Sequence, residues 1–140
     1  MEEITNKLEL LKKYVKILKG YQKHKISELK ENFTLRAAVE RYFEISLECV
    51  IDIGEMIISA KNLEKPESYR EVIEILGKEN ILPREFSEKF APSASFRNIL
   101  VHGYAEVKVE KLYEFLQNNL EDFDEFSKYI AKYLINRDLK

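Results

Sequence analysis

The pattern from Thr34 to Ala60 constrains the fold more than any other part of this chain. Leu35, Val39, Tyr42, Cys49, Ile53 and Met56 follow one another at helical spacing, with Ser46 filling the gap. Phe43, Leu47, Val50 and Ile57 form a second stripe. A helix apolar on two sides has to be covered on two sides. The remaining helices must pack around it, and in a small bundle the second side is available as a subunit interface. Between the stripes runs a polar line, Arg41, Glu44, Glu48, Asp52, Glu55 and Ser59, whose steps of three and four keep it on one face. Most of this line is expected in solvent. Asp52 stands apart because Ile51 and Ile53 flank it. A carboxylate beside buried apolar surface needs a donor, and an arginine or histidine is the natural one.

The flanking sequence supplies the other helices. Ile4, Leu8, Leu11, Val15 and Leu18 predict an amphipathic first helix that loosens at Gly20 and ends near His24. Lys12, Lys16, Lys19 and Lys23 align beside it, by default as a solvated face and otherwise as a rim that attracts phosphate. His24 reads as exposed. Residues Ser27 to Asn32 read as a polar link, and Asn62 to Ser68, with Pro66, as another. A short helix is expected over Tyr69–Leu76, with Gly77 as its C-terminal cap. Pro83 suits the first turn of the next helix, which carries Phe86 and Phe90 and should kink or break at Pro92. It resumes through Ser95 and meets a stop signal at Gly103. A last helix over Val109–Asn136 would bury Leu112, Leu116, Leu120, Phe123, Ile130 and Leu134. Its acidic run Glu121–Glu125 is not read as a metal site, because adjacent acids point to different sides of a helix.

With 4 Gly and 3 Pro in 140 residues, the composition favours long helices. One all-α domain over residues 1–140 is expected, with long helices and one or two short ones. Cys49 is the only cysteine and fits a reducing cytoplasm. The acidic start Met1-Glu2-Glu3 is unlike a secretory signal, and no apolar run approaches the roughly 18 residues of a membrane span. A net charge of -2 means that any contact with nucleic acid must use a local basic patch.

The densest chemistry lies in Phe96-Arg97-Asn98-Ile99-Leu100-Val101-His102-Gly103-Tyr104. Arg97 is a permanent cation whose planar fork grips phosphate oxygens. His102 titrates near neutral pH and can move a proton, although a helix-end histidine bonded to a carbonyl would look the same in sequence. Together they suit phosphoryl chemistry on RNA, which carries its own nucleophile in the 2′-hydroxyl. Two histidines and one cysteine are too few to suggest zinc, and there is no glycine-rich phosphate loop. The bare pair is weak evidence: the chain has six arginines, and an Arg at this separation from a His is easily a coincidence. Five positions also turn an ideal helix by about 140°, so one copy makes half of a site and two copies across a two-fold axis would share a cleft. The apolar residues between Arg97 and His102 would anchor the helix in the bundle.

The extended string resembles the Arg-x4-His-x-Tyr motif of HEPN-domain ribonucleases, and within them the HepT-like toxins. Val39-Glu40-Arg41-Tyr42, Asp52-Ile53-Gly54, Leu82-Pro83 and Phe90-Ala91-Pro92 extend the likeness over most of the chain. The resemblance implies a HEPN-type antiparallel helical bundle, a homodimer, and a metal-independent endoribonuclease that needs no cofactor. It implies the toxin of a type VII toxin–antitoxin pair whose antitoxin is a minimal nucleotidyltransferase (MNT) that transfers AMP to Tyr104. On that basis Arg97 and His102 are the candidate catalytic residues. Asn98 would orient a phosphate or the imidazole, Tyr104 would bind RNA, and Asp52 would support the site from behind. Two other readings stay open. One is a non-catalytic helical subunit that binds a nucleotide or a nucleotidyltransferase, and the other is a structural dimer with an inert motif.

Overall fold

The computed structural model describes residues 2–102 and 109–138, with the side chains of 101, 102 and 138 outside the description. Among these residues there are seven helices and no strand: α1 (Glu2–Gly20), α2 (Ile26–Glu31), α3 (Phe33–Ala60), α4 (Tyr69–Lys78), α5 (Arg84–His102), α6 (Val109–Asn118) and α7 (Leu120–Asp138). Helix α3 is the hub, in contact with α1, α2, α4 and α5. Both of its apolar stripes are covered within the chain: Val39 and Ile53 on the first, and Phe43, Leu47, Val50 and Ile57 on the second, are almost fully buried. The second stripe is therefore core rather than a subunit interface.

Several boundaries differ from expectation, each for a local reason. The link at 27–32 folds into α2, because Leu29 is buried and Glu28 reaches back to the Lys25 N–H at 3.0 Å. His24 is half-buried rather than free, with Nδ1 2.9 Å from Glu28 Oε2. Asn32 then caps α3, accepting from the Leu35 N–H at 3.0 Å, and Ser68 caps α4 in the same way through Glu71. Gly77 does not end α4. It lies inside that helix and is buried, and a Cβ there would collide with the Ser87 side chain of α5. The left-handed residue after the helix is Asn80, with φ 59°. Pro92 neither breaks nor ends α5, which runs through it to His102. Gly103 lies outside the described residues.

The final helix is two helices. They part at Asn119, whose carbonyl accepts the Asp122 N–H at 3.2 Å at the start of α7. Within the acidic run, Asp122 is buried against Lys89 at 3.2 Å and Asp124 pairs with Lys19. Aromatic packing fixes how α5 is rotated. Phe86, Phe90 and Phe96 all point inward: Phe90 meets Phe123 and Phe126 of α7, with ring centres 5.9 and 5.7 Å apart. Phe96 stacks on Phe115 of α6 at 4.6 Å. Such pairs add about 0.5–1.5 kcal/mol beyond their buried area. No helix among the described residues is long and apolar enough to cross a membrane.

Candidate functional site

Because Phe96 points into the core, the next residue, Arg97, emerges at the seam where α5 meets α3 and α4. Its side chain is only 18% exposed. Nη2 donates to Glu48 Oε1 on α3 at 2.8 Å, and Nη1 donates to the Tyr69 hydroxyl on α4 at 3.1 Å. The guanidinium carbon also lies 4.9 Å from the Tyr69 ring centre, within cation–π range. Three helices thus hold one cation. Its Nε is buried without an acceptor among the described residues, so the guanidinium is fixed by its two Nη groups.

Glu48 extends the charge pattern along α3. One turn on, Asp52 accepts a hydrogen bond from Lys7 Nζ of α1 at 3.0 Å. The partner of Asp52 is thus a lysine, where an arginine or histidine was the expected one. The carboxylate that touches Arg97 is Glu48, 35% exposed, one turn earlier on the polar line. The Lys7 ammonium is held above the usual lysine range, first by its hydrogen bond to Asp52, with burial opposing. Cys49 lies beside this strip on the buried side, and burial pushes its thiol up to about 11. Alternating charges, Arg97, Glu48, Lys7 and Asp52, therefore run from α5 across α3 to α1.

The other candidates are placed unequally. Asn98 is exposed on α5. His102 is the last residue of α5, about 7.5 Å along the axis from Arg97, but its side chain lies outside the description. Tyr104 falls outside the described residues. Ile99 is 46% exposed and does not anchor the helix, whereas Leu100 is half-buried and packs against the core, joining Phe96 stacked on Phe115; the Val101 side chain lies outside the description.

Sequence reasoning missed Glu48, Tyr69 and Lys7. Glu48 left a usable signal. A polar line enclosed by two buried stripes must emerge at a helix seam, where a neighbouring helix can set a cation against it. Tyr69 left none, because nothing local ties the first residue of α4 to α5.

Residues 6–130 match the sequence model of the family described as Ribonuclease HepT-like. A tRNA nuclease HepT from Aphanizomenon flos-aquae is 28% identical over 132 residues, covering 94% of this chain and 90% of that protein. An mRNA nuclease HepT from Shewanella oneidensis is 29% identical over 123 residues, covering 88% and 92%. Among solved structures, the tri-AMPylated Shewanella oneidensis HEPN toxin in complex with MNT antitoxin superposes with a TM-score of 0.83 at 29% identity, over 92% of this chain and 96% of that one. A toxin–antitoxin crystal structure with AMP-PNP gives a TM-score of 0.85 at 27% identity, over 94% and 99%. The fold, the span of the match and these relatives agree: the chain belongs to the ribonuclease HepT-like family, a family of RNA-cleaving enzymes.

Proposed function

We propose that the chain is a metal-independent endoribonuclease, the toxin of a HEPN/MNT type VII toxin–antitoxin pair. It would act on RNA in the cytoplasm, at a cleft formed by two copies of itself. The observation that carries this reading is Arg97. Its guanidinium is fixed across three helices, five positions before a histidine, inside the stretch matched to a ribonuclease family.

In this mechanism Arg97 holds the scissile phosphate and stabilises the charge that builds on its non-bridging oxygens. The ribose 2′-oxygen attacks phosphorus, forming one P–O bond as the bond to the 5′-oxygen breaks. His102 takes the proton of the 2′-hydroxyl, or supplies one to the departing oxygen. Asn98 orients the phosphate or the imidazole. Asp52 acts at a remove, through Lys7 and the strip that includes Glu48. Tyr104 binds RNA and accepts AMP from the MNT antitoxin. The modification places negative charge and bulk beside a phosphate site, which repels the substrate. The related Shewanella oneidensis HEPN toxin, tri-AMPylated and in complex with MNT antitoxin, supports AMP transfer as the antitoxin's action, with Tyr104 as our choice of acceptor.

The purified chain is expected to cleave RNA with EDTA present. His102→Ala and Arg97→Ala should each abolish cleavage while the helical signal and oligomeric state persist. Cleavage surviving both changes would sink the mechanism. Failure of the wild-type chain to cleave any RNA, with or without chelator, would favour the non-catalytic partner subunit. Intact mass after incubation with ATP and the antitoxin should show added AMP, and Tyr104→Phe should lose it.

A further inference from the structure

A cavity of about 520 Å³ lies at the other end of α5, between the turn at 79–83, the end of α3 and the last turns of α7. Its size falls within the roughly 300–1,000 Å³ of small-ligand sites. Tyr129 and Tyr133, one helical turn apart on α7, present aromatic surface to it. Lys61, Lys132 and Arg137 bring positive charge, against the single carboxylate of Glu79 among the described lining residues. Lys61 Nζ lies over the Tyr133 ring, 5.9 Å from its centre, so a cation already rests on one aromatic face of the groove. A chain of net charge -2 has here a local patch of the opposite sign.

We propose that this groove binds a single-stranded segment of the RNA substrate, with a base stacked on Tyr133 and the backbone phosphate drawn to Lys61 and Lys132. Aromatic faces interleaved with cations are what sequence-tolerant single-strand binding requires. Arg84, which follows the groove residue Pro83, lies thirteen positions before Arg97, about 20 Å along the axis of α5. A mononucleotide held by Arg97 cannot span that distance, whereas a strand of several nucleotides is long enough to. The groove would therefore select for polynucleotide length rather than for base sequence. The choice of RNA as ligand rests on the nuclease reading above.

The test uses the full chain and a single-stranded RNA of about eight nucleotides carrying 2′-O-methyl groups, which cannot be cleaved; its length suits a site of this kind. Binding is followed by fluorescence anisotropy in an Arg97→Ala background, so that neither turnover nor the Arg97 cation contributes. Tyr133→Ala should weaken binding about tenfold and Tyr133→Phe should restore it. Lys132→Ala, an exposed change that should not disturb folding, should reduce the slope of log affinity against log salt by about 0.7. Unchanged affinity and slope in both variants would overturn the proposal. Displacement of the RNA by AMP or by an oligoglutamate peptide at equal concentration would also overturn it, in favour of a free nucleotide or an acidic partner. Tyr133-dependent binding together with a wild-type chain, Arg97 intact, that cleaves no RNA would sink the nuclease and keep the groove. Normal cleavage with Tyr133-independent binding would do the reverse.

Discussion

Arg97 is fixed by residues distant from it in sequence. Glu48 holds one edge of its fork and Tyr69 another, leaving the remaining Nη protons for a phosphate. Glu48 is thereby a positioning residue for Arg97, and its loss should act on turnover more than on binding. Glu48→Ala is expected to lower kcat by on the order of ten- to a hundredfold with a smaller change in KM, as a slight misplacement of a reacting group does. Glu48→Gln, which keeps an acceptor, should recover part of the loss. Unchanged kcat in both variants would leave Glu48 a structural residue only. Leaving the Arg97 cation half-buried without its acceptor should also destabilise the fold by about 1–3 kcal/mol. Cys49 makes a second residue-level prediction. Burial favours its neutral thiol, so the unfolded chain ionises first as pH rises. The stability this confers is complete below the ordinary thiol range and disappears as pH climbs towards about 11. A thiol reagent at pH 8 should accordingly modify the unfolded chain rapidly and the native one slowly; equal rates would contradict the burial.

At the scale of elements, periodicity was legible and close approach was not. The stripes of α1 and α3 placed both helices within a few residues, because a long amphipathic pattern repeats its own evidence. Helix α2 escaped because six residues carry too little pattern, and one buried leucine decides its place. The break at Asn119 escaped because Leu112, Leu116, Leu120 and Phe123 keep a single helical phase across it. Gly77 was visible, but its purpose was not: a glycine near a helix end signals a cap, whereas here it lets α4 and α5 touch. Gly77→Ala should force those helices apart, at about 1–3 kcal/mol and a midpoint lower by on the order of 5 °C. Gly20 gives the opposite expectation, because a Cβ added there would meet nothing within 4 Å. Gly20→Ala should leave the midpoint unchanged or raise it, with a gain in stability of up to about 1 kcal/mol. Equal thermal midpoints for the two variants would contradict this account of the α4–α5 contact.

For the whole molecule, the covered faces of α3 narrow where a second copy can dock. Its second stripe is spent on the chain's own core, so a dimer has to use surface elsewhere. Ile99, exposed between Arg97 and His102 on α5, is apolar surface at the motif itself. A two-fold axis near it would bring the motifs of two copies together, each completing the other. That arrangement is testable without a structure of the dimer. Arg97→Ala and His102→Ala chains are each expected to be inactive. Mixed under conditions that let subunits exchange, half of the dimers should be hybrids. If each site takes Arg97 from one copy and His102 from the other, every hybrid carries one intact site and one doubly defective site. The mixture should then recover about a quarter of wild-type cleavage. If each site is built within one chain, the mixture should stay as inactive as its components, and the shared cleft would have to be abandoned even were the nuclease chemistry correct.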